Sequence, residues 1–276
     1  IVNDGSTDDT LQTIKKYQQK DKRLILVNQE NKGLTKSLNL ALNMARGEYV
    51  ARQDADDISL PERFKHQVDF LDRNKEIGFV GCNCEIIDEV GNLLDKVYIP
   101  NIPKKIAQKL KKNNVFCHGS MMFRRHFLKK VSGYRDFFKY SQDYDLYLRL
   151  IQHSMPANVN KMLYQRRESI EGISVAKLST QLAYASLAKK SYCLRALGQD
   201  DSGLLNLDNL NKFIQNNRHY DLALPFMQAL KLAKNNNLIE ARCLMKKYLF
   251  PIALNKWKFY LLWFVTYLPF SARRML

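Results

Sequence analysis

The run Ala51-Arg52-Gln53-Asp54-Ala55-Asp56-Asp57 sets three carboxylates close together, between an apolar segment and a helical one. Hard carboxylate oxygens suit Mg²⁺ or Mn²⁺, and a cation with open positions can bridge two phosphate oxygens of a ligand. Gly47-Glu48-Tyr49-Val50-Ala51 reads as a turn followed by a strand, so Asp54 and Asp56, two residues apart, are expected on one side of an extended strand end. Ser59-Leu60-Pro61-Glu62 has the form of a capping box with proline in the first helical turn. Taken alone, the run also fits an acidic surface turn. It does not fit a calcium EF-hand loop starting at Asp54, whose sixth position would be Ser59 and whose twelfth would be Lys65.

Two further groups have useful chemistry. Asn3-Asp4-Gly5-Ser6 follows a strand and opens a helix, the place where α/β folds bind ligands, although Asp-Gly-Ser is also an ordinary turn and cap. Ser141-Gln142-Asp143-Tyr144-Asp145 opens a helix, where a carboxylate either complements the dipole or serves as a base. Asp143 is the candidate for proton removal from an attacking hydroxyl.

The elements that must position these groups follow from the apolar pattern. Up to about Arg166, strand-like runs alternate with helical ones, the signature of an α/β domain with a largely parallel sheet. Ile1-Val2 reads as the end of a strand, so the chain reads as an N-terminally truncated domain lacking its first strand and helix. A helix is expected from the Ser6-Thr7-Asp8-Asp9 cap to about Lys20, a strand at Leu24 to Val27, and a helix after Gly33 through Leu34, Leu38, Ala41 and Ala45. Phe79 to Asp88 and Leu93 to Ile99 form an expected hairpin, Val115 to Phe123 an expected strand, and Tyr144 to Gln152 an expected amphipathic helix. After Gly172 the pattern is helical only. The domain reading is 1–174 for the α/β part and 175–276 for a helical C-terminal region.

The 276 residues carry a net charge of +17, from 44 Lys and Arg against 27 Asp and Glu, which favours anionic partners. From Leu222 to Leu276 the only acid is Glu240, and Trp257 to Phe270 is apolar and aromatic with Lys256, Lys258, Arg273 and Arg274 around it. This stretch is short for a bilayer span and contains Pro269, so it reads as an interfacial anchor on anionic lipid or as a helix packed on the protein. Truncation after Phe250 is expected to release an anchored chain from anionic vesicles. Nucleic acid is not an expected partner, because no basic and aromatic recognition motif is present. Five cysteines without a secretory leader point to free thiols and a cytoplasmic location, and Cys82 and Cys84 are spaced for one face of a strand, where they pack instead of binding metal.

Taken in order from Ile1 to about Ser174, these blocks resemble family 2 glycosyltransferases of the GT-A fold. Val2-Asn3-Asp4-Gly5-Ser6-Thr7-Asp8 resembles the nucleotide-binding strand end of that family, and Asn31-Lys32-Gly33 through Asn39 and Ala41 the next block. Asp54-Ala55-Asp56-Asp57 resembles its DXD motif, His118-Gly119-Ser120-Met121-Met122-Phe123-Arg124-Arg125 its acceptor-side strand, and Gln142-Asp143 its Glu-Asp motif. The resemblance implies a Rossmann-like mixed α/β sheet with a helical C-terminal extension. It also implies nucleotide-sugar contacts from Asn3, Asp4, Ser6, Gly33, Asn39 and Asp54, metal binding by Asp56 with Mn²⁺ or Mg²⁺, and His118 and Gln142 on the acceptor side. Asp143 would be the base of an inverting transfer to a glycan or lipid-linked acceptor in cell-envelope polysaccharide synthesis, at the inner face of the cytoplasmic membrane. Asn3 and Gln142 stand where the family usually has acids. No Gln-x-x-Arg-Trp run is present, Gln165-Arg166-Arg167-Glu168 being nearest, so transfer of single sugars is expected over processive polymerisation. The competing reading is a degenerate module that holds nucleotide-sugar or glycan without turnover.

Overall fold

The computed structural model describes residues 1–168 and 178–217. The chain divides into two units, the first comprising Ile1–Glu168 and Tyr184–Asn206. The described part of the second is 178–183 and 207–217.

The first unit opens with β1 (Val2–Asp4), α1 (Thr10–Lys20), β2 (Val27–Gln29) and α2 (Leu34–Met44), with β1 and β2 paired in parallel. Asp8 accepts the Thr10 N–H at 3.1 Å and so helps start α1. Gly33 stands before α2 at φ +88°, a region open to glycine without Cβ strain. The second sheet contains β3 (Tyr49–Ala51), β4 (Ile58–Ser59), β5 (Ile77–Ile87), β6 (Leu93–Val97), β7 (Met122–Arg124) and β8 (Met155–Arg167). Its order is β3-β7-β5-β8-β4, with β6 also on β5. Around it lie α3 (Arg63–Arg73), α4 (Pro103–Leu110), α5 (Arg125–Lys130) and α6 (Gln142–Leu150). After β8 the described elements are helical: α7 (Leu178–Ala196), a 3₁₀ turn at Ser202–Leu204 and α8 (Leu207–Asn217).

β5 is the centre of the sheet. Its Ile77-Gly78-Phe79-Val80-Gly81-Cys82-Asn83-Cys84 run is buried throughout, as expected of a strand covered on both faces. Cys82 and Cys84 share a core cluster with Leu71, Ile77, Val80, Met122 and Tyr164. The buried Asn83 amide is satisfied: Oδ1 accepts from Ile99 N–H and Asn158 Nδ2, both at 3.0 Å, and Nδ2 donates to Asn160.

Several expectations need correction. The sheet is mixed, as the family resemblance implies, and not largely parallel, as the strand–helix alternation suggests: β5 with β8 is parallel, whereas the β3–β7, β7–β5, β5–β6 and β8–β4 pairings are antiparallel. Val115 to Phe123 is not one strand, because Ser120 N–H and Oγ both bond to the Cys117 carbonyl and wind His118–Ser120 into a 3₁₀ turn, leaving β7 to start at Met122. Ser59 is no helix cap; it lies in β4 opposite Tyr164, its Oγ donates to Gln53, and α3 starts later, after Glu62 in the left-handed region. The second strand begins at Val27, where Leu24 was expected to start it. α6 is buried almost all round, from Tyr144 to Leu150, and is not amphipathic.

Candidate active site

The acidic loop leaves β3 at Ala51, so Asp54 and Asp56 do not continue an extended strand; residues 55–57 form a bend. Asp54 Oδ1 takes Arg52 Nη2 at 2.5 Å. Asp57 is tied inward, accepting Tyr164 Oη–H on Oδ2 and the Arg167 N–H on Oδ1, both at 2.8 Å. Burial pushes its carboxyl up, those two hydrogen bonds act against the rise, and the charges of Asp54 and Asp56 add to it. Asp56 is exposed, and among the described residues no group occupies its carboxylate.

Three residues that the sequence reading did not single out hold this loop or the 117–120 turn next to it. Arg63, fully buried at the start of α3, donates to the Arg52 carbonyl at 2.8 Å and the Gly119 carbonyl at 2.7 Å. One helical turn on, Gln67 donates to the Ser120 carbonyl at 2.7 Å. Tyr164 of β8 bridges Asp57 and the Asp54 N–H, which donates to its Oη at 3.3 Å. A Cβ on Gly119 would collide with Tyr164 Oη and stand 2.7 Å from Asp54 Oδ2, so only glycine lets the two loops meet. The i, i+4 pair Arg63 and Gln67 is the signal in the sequence, and it looks like an ordinary solvated helix face.

Beyond Gly119, His118 Nε2 pairs with Tyr134 Oη at 2.7 Å. Burial, and after it the Arg52 charge, pushes His118 well below the usual imidazole range, so the ring is neutral at pH 7. Asp143, in the first turn of α6, accepts Asn114 Nδ2 at 2.7 Å. Burial raises its carboxyl, the hydrogen bonds from Tyr144 N–H and Asn114 act the other way, and the Asp54 charge adds to the rise. The field of Asp54 therefore reaches Asp143, and both act on Tyr134. Arg52 with Asp54, and His118 with Tyr134, are hydrogen-bonded pairs, and Asp143 lies within electrostatic reach of Asp54 and Tyr134. Gln142 is buried beside it, and Ser141, just before, adopts φ +52°.

The remaining residues occupy the β1 end and α2. Asp4 binds the following loop: it accepts Lys32 N–H at 2.9 Å, Gln29 Nε2 at 2.7 Å and Gly33 N–H at 2.9 Å. Burial would raise this carboxyl, but the bonds from Lys32, Gln29, Ser37 and Gly33 win and hold it below the usual range. Asn3 pairs with Asn28 and accepts the Ser6 N–H. Asn39 faces the segment before α6: Oδ1 accepts Tyr134 N–H at 2.9 Å, and Nδ2 donates to the Tyr134 carbonyl at 2.8 Å and to Asp136. Thr35 donates to the Phe138 carbonyl at 2.7 Å. Through α2 the Asp4 end is thereby joined to Tyr134 and His118.

The donor set fits a weakly held, ligand-bridged cation. Among the described residues no three His, Cys, Asp or Glu converge, so an all-protein cage is not offered. Asp56 supplies a free carboxylate beside Asp54, and Mg²⁺ commonly takes one or two carboxylates with substrate phosphates and water.

A mixed sheet flanked by helices, with an acidic loop at a strand end and a carboxylate of raised proton affinity at the start of α6, fits a GT-A type α/β domain. The glycosyl transferase family 2 profile matches residues 1–132. The amylovoran biosynthesis glycosyltransferase AmsE of Erwinia amylovora is 30% identical over 198 residues, covering 69% of this chain and 74% of its own. The chain belongs to glycosyl transferase family 2. EpsE of Bacillus subtilis, which bears a glycosyltransferase name, is 35% identical over 173 residues, covering 61% of this chain and 61% of EpsE. The chain therefore spans less than two thirds of that relative's length. In fold it is similar to S. aureus TarS 1-349 in complex with UDP-GlcNAc, with a TM-score of 0.54, 18% identity and coverage of 90% of this chain and 81% of that one.

Proposed function

We propose that this chain transfers a single sugar, with inversion, from a nucleotide-diphosphate sugar to a glycan or lipid-linked acceptor in cell-envelope polysaccharide synthesis. Family membership and the polysaccharide-synthesis name of AmsE support the reaction class and the setting. The observation that carries the mechanism is Asp143: a carboxylate with raised proton affinity, held by Asn114 and within the field of Asp54 of the acidic loop.

In this reading the acceptor hydroxyl gives its proton to Asp143 as its oxygen attacks the anomeric carbon. The bond to the diphosphate oxygen breaks, and its electron pair leaves with the nucleoside diphosphate. A single protein carboxylate suffices, unlike the two that flank the bond in a glycosidase. Mg²⁺ or Mn²⁺, when bound, offsets charge on the departing diphosphate. Asp56 would hold it, with Arg52 keeping Asp54 in place beside it. Neutral His118, fixed by Tyr134, and Gln142 would face the acceptor, while Asn3, Asp4, Ser6, Gly33 and Asn39 would build the wall of the nucleotide site. The absence of a Gln-x-x-Arg-Trp run supports single transfer.

Asp143→Asn tests this assignment. Removal of a general base lowers turnover by about 10²–10⁴-fold, and nucleotide-sugar affinity should stay at the wild-type value. Full sugar transfer by the variant would remove Asp143 from the role.

A further inference from the structure

The residues from Lys96 to Arg135 include eight lysines and three arginines and not one Asp or Glu. Part of this charge is used internally: Arg124 is buried on backbone carbonyls at Ile77 and Leu71, and Arg135 is paired with Asp145. What faces solvent is concentrated on α4 and the turn after it. Ile106 and Leu110 bury one side of this helix, while Lys104, Lys105, Lys109, Lys111 and Lys112 are all exposed on the rest. Among the described residues none of the five is in an ion pair, and Lys111 alone has an aromatic neighbour, Tyr192 at 5.9 Å. The chain leading into this face is apolar and open to water, with Tyr98 69% and Ile102 45% exposed.

We infer that the lysine face of α4, with Tyr98 and Ile102 at its entry, is a contact surface for an anionic phospholipid bilayer. The inference rests on the transferase reading with a lipid-linked acceptor, and it deepens that reading by naming the face that meets the membrane. A cluster of this size suits acidic headgroups. Exposed tyrosine and isoleucine beside the cations favour an interface over a soluble polyanion, which would need charge alone. The face also adjoins the acceptor side: the Leu110 carbonyl accepts Tyr144 Oη–H at 2.7 Å, and Asn114, just past Lys112, holds Asp143. A bilayer lying on α4 would bring its lipid-borne hydroxyls to the base.

The test is sedimentation of the full chain with vesicles of phosphatidylglycerol and phosphatidylcholine in equal parts, and of phosphatidylcholine alone, at about 0.1 M salt. The variant carries Lys104→Gln, Lys105→Gln, Lys109→Gln and Lys112→Gln; a second carries Tyr98→Trp as the sole fluorescent reporter, with Trp257→Phe and Trp263→Phe. Wild type should bind only the anionic vesicles, the quadruple variant at least about tenfold more weakly, and Trp emission should shift to the blue on binding. Mn²⁺-dependent nucleotide binding should be the same in the variant as in wild type, so failure of the transferase reading shows in that titration and not in the sedimentation. Undiminished vesicle binding by the quadruple variant, an unshifted Trp in the bound protein, or tight binding of soluble polyphosphate without vesicle binding would each overturn the inference.

Discussion

Carboxylates of one sequence block can be put to different uses by their neighbours, and the acidic loop shows this residue by residue. Asp57 is bound by Tyr164 and the Arg167 backbone, Asp54 by Arg52, and Asp56 by no described group. The sequence identified the block but could not assign these uses, because Tyr164 lies over a hundred residues away on an unexpected strand. Asp143 was legible from its place at a helix start; the Asn114 bond that orients it and the desolvation that raises it were not. A raised Asp143 must lose its proton before it can act, so the acid limb of kcat/KM should lie above that of an ordinary carboxylate. A pH-rate profile checks this, and a limb at or below the ordinary carboxylate range would argue for a different base. Gly119→Ala should cost about 1–3 kcal/mol from the collision with Tyr164 and also lower metal-dependent nucleotide binding, as read by chemical denaturation and by titration.

At the scale of elements, the strongest apolar runs were the readable ones: α1, α2, the β5–β6 hairpin and the position of α6 follow the pattern of the chain. β8, the longest strand, was missed. Met155-Pro156-Ala157-Asn158 begins it with proline and asparagine, which strands usually avoid, and register shifts against β5 accommodate Pro156 and the Asn83 pairing. The role of α3 was hidden for a related reason: Arg63 turns a charged helix residue inward to join two loops. Arg63→Met keeps the apolar bulk and leaves the Arg52 and Gly119 carbonyls without a donor. A loss on the order of 2–4 kcal/mol is expected, together with weakened nucleotide binding; a variant of wild-type stability would show that the loops hold each other without the clamp.

Across the first unit, a buried ionic network ties the segment before α6 to α6 itself and to the end of α7. Arg135 pairs with Asp145 and with Asp201, Arg149 Nε with Asp145 at 2.9 Å, and Arg195 with Asp201. No spacing rule could have joined residues from four parts of the chain, so this network was not legible in the sequence. Burial of Asp201 opposes its charge, but Ser191, Arg135 and Arg195 prevail and bring its carboxyl down to about 2. Its pKa is lowered on folding, so its stabilisation is complete above the ordinary carboxylate range and is lost as pH falls toward 2. Wild type should therefore lose Tm more steeply than Asp201→Asn below about pH 4; parallel Tm curves would show that the pair contributes nothing. The segment 257–270, read as an anchor or a packed helix, lies outside the described residues. Among the described residues no helix is long and apolar enough to cross a membrane.

The central claim is that the acidic loop binds a nucleotide through a cation held by Asp56. Calorimetric titration of UDP, GDP and dTDP, with and without Mn²⁺, on wild type and Asp56→Ala tests it most directly. One nucleotide should bind wild type in a Mn²⁺-dependent manner, with the dependence lost in the variant, and its identity would name the donor class. Binding that ignores both Mn²⁺ and the substitution, or no binding of any nucleotide, would contradict the account.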